Sequence, residues 1–423
     1  MRVWVIPMVY VFAAFIFGQV VPRLELFYLA QPVGISVSSA QACLSAAASG
    51  MMALTGVVFA VAFIMVQFSA VAYSPRLVHW FVRNSAFYHS IGLYSFTFIF
   101  AFFTLAWIDR NGSGKVPGYS TLAVGVLLMV SMFLFVRLVQ RLVDLQITSV
   151  LNTIGSRGRE VISASFRPLD LKQSDETKLG HVEALQLGPV SKTVTYSGPP
   201  RAITWLDIDA LVREARLSGG IIAMACGIGD TLIDGSIVLR VHGCTSSFSE
   251  TNALQAIHRD FERTFEQDPM YPIRILVDIA IKALSPAVND PTTAVQAIDQ
   301  IEDLLRRLIR KELDASHLRD LDDALRVIIK LPSWEDYMAL AFDEIRQFGA
   351  TSIQVLRRLR AALAGLADES PILTRAEAAR RYLKQLDLSV DRSQFDAEDK
   401  YKAMQEDRQG LGSSRAHDVG GAR

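Results

Sequence analysis

Four long stretches of this chain, residues 3–21, 26–75, 84–108 and 116–136, contain no Asp, Glu, Lys or Arg. At about 1.5 Å per helical residue, each is long enough to cross a hydrocarbon core about 30 Å thick. Lipid imposes such a pattern because a charge at the bilayer centre costs roughly 2.5 kcal/mol or more. The 423 residues hold 43 basic and 43 acidic side chains, and that neutrality hides two different halves. Residues 1–145 contain three of the acids (Glu25, Asp109, Asp144) against eight bases, whereas the remainder has ordinary soluble composition. Cys43, Cys226 and Cys244 are too few and too scattered for a disulfide framework or a Cys-x-x-Cys metal site, and fit a reducing compartment.

The expected fold is an α-helical membrane protein: four transmembrane helices, a small α/β (β-rich) module, then a cytoplasmic helical domain. The helices are placed at about 3–21, 45–72, 86–108 and 119–143, within a transmembrane domain of residues 1–150. A cleaved signal peptide is the other reading of residues 3–21, whose apolar run exceeds the usual h-region of roughly 7 to 15 residues. Arg76 and Arg83 flank the second loop, and Arg137, Arg141, Arg157 and Arg159 follow the fourth helix, against Arg23, Arg110 and Lys115 on the other side. The positive-inside rule then puts both termini in the cytoplasm and the protein in the bacterial inner membrane, as a multi-pass species.

The second helix carries small residues four apart: Ala42, Ala46 and Gly50 on one line, Ser45, Ser49 and Ala53 on the next, then Gly56 and Ala60. Such lines let backbones approach closely. Ser45, Ser49, Gly50, Ala53, Gly56 and Ala60 are therefore a candidate pore face or a packing face. With no charge in mid-membrane, a proton relay or a voltage sensor loses support, and hydroxyls and backbone groups must meet anything that permeates.

Residues 151–245 read as the β-rich module. The stretch from 150 to 200 shows only weak strand patterns, but Ala202–Trp205, Gly220–Ala225 and Ser236–Val241 read as strands. Asp207 caps a helix to Arg216, and a tight turn lies at Gly227–Asp230. Residues 246–390 take a helical period over 250–265, 269–284, 291–310, 317–329, 334–366 and 374–388. Residues 391–423 form a largely disordered tail.

The most distinctive segment is I-A-I-K-A-L-S-P-A-V-N-D-P-T-T-A, residues 279–294. Pro286 disfavours helix at Ser285 and so ends one helix. Asp290 is an N-cap and Pro291 opens the next helix. This is a helix-turn-helix corner that Asn289 is available to bridge. Alternatively Ser285, Asn289, Asp290, Thr292 and Thr293 form a polar pocket for an ion or small ligand, with Asp290 opposing an anion.

At this corner the sequence resembles a bacterial membrane-protein family catalogued as domain of unknown function 2254. Three motifs carry the resemblance over nearly the whole chain. The first is Phe68-Ser69 through the loop Ser74-Pro75-Arg76. The second runs from Ile203 to Gly229-Asp230 and Gly235. The third joins Arg263, Asp268, Asp278, Ala283 to Ala287, Asn289 to Pro291, and Thr293-Ala294. The chain departs where a Gly-Asp-Phe-Val-like turn is usual, having Gly229-Asp230-Thr231-Leu232. The resemblance implies four membrane helices and a cytosolic domain, and brings no reaction, substrate or partner.

Other motifs fail on context. Asn111-Gly112-Ser113-Gly114-Lys115 lacks the earlier glycine and the strand of a phosphate loop, and Gly227-Ile228-Gly229 lacks a third glycine. The histidines show no metal spacing, and there is no nucleophile elbow, so the chain is read as a non-enzyme with no cofactor and no metal. The clusters Arg306, Arg307, Arg310, Lys311 and Arg357, Arg358, Arg360 are interleaved with acids. They read as solvated faces or headgroup contacts, not a nucleic-acid surface. The expected partners are the lipid bilayer and further copies in a homo-oligomer, with a protein partner or small ligand left open. Two functions remain: a channel-like oligomeric pore with a cytoplasmic collar, or a membrane-anchored scaffold or sensor.

Overall fold

A computed structural model describes residues 5–28, 34–72, 85–143, 146–169, 187–244 and 246–411. It divides into two compact units, Met1–Gln146 and Ile147–Arg423. The loop residues Ser74, Pro75 and Arg76, and residues 412–423 of the tail, lie outside the described residues.

The first unit is built from α1 (Val5–Tyr28), α2 (Val37–Ala72), α3 (Ser85–Trp107) and α4 (Gly118–Val143). All four are long and apolar enough to cross a membrane. In α1, Tyr10 lies against Gly92 and Gly18 against Phe103, so α1 runs parallel to α3. The Ala40–Ala48 stretch of α2 packs on Phe100, Ala101 and Ile108, and its Met51–Val58 stretch on Ile91 and Tyr94, so α2 runs antiparallel to α3. The bundle is turned inside out relative to a water-soluble one. Ala14, Ala40, Ala101, Thr97, Thr104 and Ser131 are buried, while Phe12, Phe15, Phe59, Phe63, Met129 and Phe133 face outward. Lipid tails are as apolar as these rings, so helix association rests on close packing and hydrogen bonds, which small and hydroxyl side chains supply.

Two helices are longer than the sequence suggests. The first continues past Pro22 to Tyr28 because Glu25 finds partners in α4, described below. The second begins at Val37, where Ser36 Oγ accepts the Ser39 amide at 3.2 Å and the Ser36 carbonyl accepts Ala40 at 3.0 Å.

The second unit opens with α5 (Ile147–Ser165), in the stretch where sequence showed only weak strand patterns. Its amphipathic face, Val150, Leu151, Ile154, Val161 and Ile162, is buried. Two sheets follow, from β1 (Val190–Thr195), β2 (Arg201–Leu206), β3 (Ile221–Met224), β4 (Thr231–Leu232), β5 (Ile237–His242) and β6 (Ile257–Asp260). Between them lie α6 (Ile208–Ser218), capped by Asp207, and the short α7 (Glu250–Gln255). Then come α8 (Met270–Ala283), α9 (Pro291–Leu308), β7 (His317–Arg319), β8 (Leu325–Ile328), α10 (Trp334–Phe348), α11 (Ile353–Glu369), α12 (Leu373–Asp391) and α13 (Ala397–Ala403).

The sheet orders are β1-β5-β3-β8-β7 and β4-β2-β6. These orders correct the expected division at residue 245. Strand β8 pairs in parallel with β3, so residues expected in a helix over 317–329 complete the sheet of the β-rich module. The β-branched run Val327-Ile328-Ile329 is more at home in a buried strand, and Asp323 in the left-handed conformation turns the hairpin. Strand β6 likewise interrupts the helix expected over 250–265. The helix expected over 334–366 breaks at Gly349. The tail is ordered further than expected: α13 is capped by Asp396, and Asp407 accepts the amides of Gln409 and Gly410.

Candidate functional site

The Ser285–Thr293 corner joins α8 to α9, and its geometry accounts for most of its polar residues. The Ser285 carbonyl accepts the amides of Val288 and Asn289 at 3.0 and 2.9 Å, and its hydroxyl donates to Lys282 O at 2.7 Å. Asn289 takes the left-handed conformation (φ 48°), which asparagine tolerates better than most residues, and this reverses the chain. The Asp290 amide then closes on Ala283 O at 2.8 Å. Its carboxylate accepts the Thr293 amide at 3.1 Å and the Thr293 hydroxyl at 2.5 Å, a cap that places negative charge at the start of α9 and opposes an anion there. Thr292 is exposed. The structure thus gathers Ser285, Asp290 and Thr293 as the corner's internal bonding, and places Pro286, Ala287 and Val288 outward.

The other residues of the third motif are brought together around α8. Arg263 donates from Nε and Nη2 to Asp268 at 2.7 and 2.6 Å. Asp268, 3% exposed, also accepts the amides of Met270 and Tyr271 at the start of α8. Burial pushes its carboxyl above the ordinary range despite the opposing effects of Arg263 and those two amides. The Arg263 guanidinium sits where a Cβ on Gly229 would be, 2.3 Å from Nη2, and Gly229 has φ +85°. Only glycine fits both demands there. The turn at Gly229 is thereby tied to α8, and Asp230 accepts the Gly227 amide at 2.9 Å. Further along α8, Arg274 holds Asp278 at 2.7 Å through Nε and reaches Glu344 of α10 at 2.9 and 2.7 Å.

The second basic cluster is not a solvated face, whereas Arg307 and Arg310 of the first are exposed. Arg357 and Arg358 are buried, because α11 packs on several neighbours at once. Arg358 donates to Asp299 at 2.6 Å and also to Glu302. Glu302 in turn accepts Arg306 at 2.7 Å, and Arg360 pairs with Asp387 at 2.7 Å. Arg375, 4% exposed, donates to the carbonyls of Ile309 and Lys311 at 2.9 Å and so closes the end of α9. Among the described residues no group of three or more His, Cys, Asp or Glu side chains is placed to hold a metal ion.

In the first unit, Ser45, Ser49, Gly50, Ala53, Gly56 and Ala60 are all exposed. A Cβ added to Gly50 or Gly56 would meet nothing within 4 Å. The opposite face, Ala40, Leu44, Ala47, Ala48 and Met51, is what packs in the bundle. The small-residue lines therefore do not hold this bundle together. One functional-looking residue escaped the sequence reading. Glu25, 7% exposed, accepts the Tyr119 amide at 2.6 Å, the Ser120 amide at 2.9 Å and the Ser120 hydroxyl at 2.7 Å. It is the N-cap of α4, supplied from α1. Its only sequence signal was an acid beside an apolar run, 94 residues from its partner.

A family profile described as "Predicted membrane protein (DUF2254)" matches residues 1–365, across both units. The chain belongs to that family. Similar chains include Uncharacterized protein Rv1290c of Mycobacterium tuberculosis and Uncharacterized protein Mb1321c of Mycobacterium bovis. Each is 24% identical over 326 residues, which cover 75% of this chain and 61% of the relative. The match thus spans about three-fifths of the length of these relatives. No solved structure matches.

Proposed function

We propose that the protein is a homo-oligomeric pore of the bacterial inner membrane, with α2 lining the path and the second unit forming a cytoplasmic collar. One observation carries this reading. The outward face of α2 repeats at spacings of four and three through Ser38, Ala42, Ser45, Ser49, Met52 and Gly56, all exposed. That is the period of a helix seam. Serine hydroxyls on such a face are poorly served by hydrocarbon and well served by water or by another helix. The arginines after the fourth helix support cytoplasmic termini by the positive-inside rule. No reaction, cofactor or nucleic-acid partner enters the reading. Purified full-length protein in liposomes should pass small ions under voltage, tension or pH steps, and a Ser49→Leu variant should reduce the flux. A wild-type protein that conducts nothing under all three stimuli overturns the reading.

A second reading, a membrane-anchored scaffold or sensor, is favoured by the tip of the α8–α9 corner. Val288 is 49% exposed there beside Pro286 and Ala287, an apolar knob on a rigid base. Capture from native membranes should recover a partner that a Val288→Asp variant loses.

A further inference from the structure

The three-stranded sheet β4-β2-β6 carries a cleft of about 260 Å³ lined by Thr204, Trp205, His258 and Glu266. Its shape has a local cause. The β2–β6 register slips between Ile203 and Trp205, a bulge of the kind that re-aims a side chain. After the slip, Trp205 faces His258 edge to face with ring centroids 4.8 Å apart. The ladder ends at Leu206, where Gln267 takes over both backbone groups. Its Oε1 accepts the Leu206 amide at 2.9 Å, and its Nε2 donates to the Leu206 carbonyl at 3.3 Å. The neighbouring Glu266 is exposed at the cleft, and its Oε2 accepts the Thr264 hydroxyl at 3.1 Å.

Charge decides what the cleft suits. Glu266 is the lining carboxylate, and the nearby arginines of the same segment are engaged elsewhere. Arg259 donates to Leu254 O and lies over Tyr196, and Arg263 is held by Asp268. An indole beside a carboxylate whose described partner is a neutral hydroxyl is a setting for a cation, since an aromatic ring and an acid both attract positive charge. The largely buried Thr204, also in the lining, adds a hydroxyl that can donate and accept.

We propose that this cleft binds a compact organic ammonium compound, its cationic head between Trp205 and Glu266. The site belongs to the mixed sheet region and does not depend on the pore reading. The test is calorimetric titration of the full-length protein in detergent with choline chloride, with sodium chloride and sodium acetate as controls. Saturable binding of choline alone is expected. Trp205→Leu and Glu266→Gln should each weaken it roughly tenfold, while Trp205→Phe, which keeps an aromatic face, retains most of it. The variants' circular dichroism should match wild type, which separates loss of the site from loss of the fold. No saturable heat with choline, equal binding of acetate, or unchanged binding in a folded Glu266→Gln variant would overturn the proposal.

Discussion

Two carboxylates do comparable work, one in each unit, and both act on helix starts. Glu25 satisfies two backbone amides of α4 across the bundle. Replacing it with Ala leaves them unpaired in a low-dielectric setting, at a cost of about 1–3 kcal/mol. Glu25→Ala should therefore lower the thermal midpoint in detergent, with Glu25→Gln, which keeps an acceptor, falling in between. Asp290 caps α9 from its own chain segment, and Asp290→Ala should cost about 0.5–2 kcal/mol in denaturant unfolding. An equal loss in Asp290→Asn would argue that charge, not capping, matters. Local signals made Asp290 legible, because the cap, the following proline and the preceding Ser-Pro all lie within the seven residues from Ser285 to Pro291. Glu25 was not legible, since its partners are distant in sequence and only the packed bundle brings them near. The arginines of α11 were misread for a similar reason. Interleaved charge looks the same on a solvated helix and on one whose acids arrive from α9.

At the level of elements, apolar period located all four membrane helices and most of the β-rich module. It failed where tertiary pairing overrides local pattern. Strands β7 and β8 form because β3 offers an edge to pair with, and β6 because β2 does. Helix α5 was hidden by its glycines, which look like loop residues. The structure gives them another use: a Cβ on Gly158 would lie 2.7 Å from the Leu304 methyls, so the Leu304 side chain of α9 packs directly on the α5 backbone. Gly158→Val should destabilise the second unit by about 1–3 kcal/mol through overpacking, whereas Ser163→Ala on the exposed face should be neutral. The same contact has a pH limit. Burial works to raise Asp303, but hydrogen bonds from Arg307 and from Arg159 of α5 outweigh it and hold its carboxyl below the usual range. Its contribution is then complete above the unfolded carboxyl value of about 3.9 and is lost as pH falls through the lower folded value. Amide exchange in α5 should accelerate below about pH 4, and Asp303→Asn should remove that acid step.

For the whole molecule, the proposed oligomer turns on the outward face of α2. If α2 faces α2, oxidation of a Ser49→Cys variant lacking Cys43 should give dimers on gels, and Met129→Cys on the outward face of α4 should not. Dimers from Met129→Cys alone would move the seam to another helix. The second unit raises a different matter, which follows from strand β8 lying between β3 and β7. The middle strand of that half of the sheet comes from about a hundred residues downstream of its neighbour. During synthesis, β3 must wait with a bare hydrogen-bonding edge until β8 leaves the ribosome. A nascent chain held near the membrane in that state is exposed to strand exchange with its neighbours on the same messenger, so its yield should depend on translation speed through the interval between them.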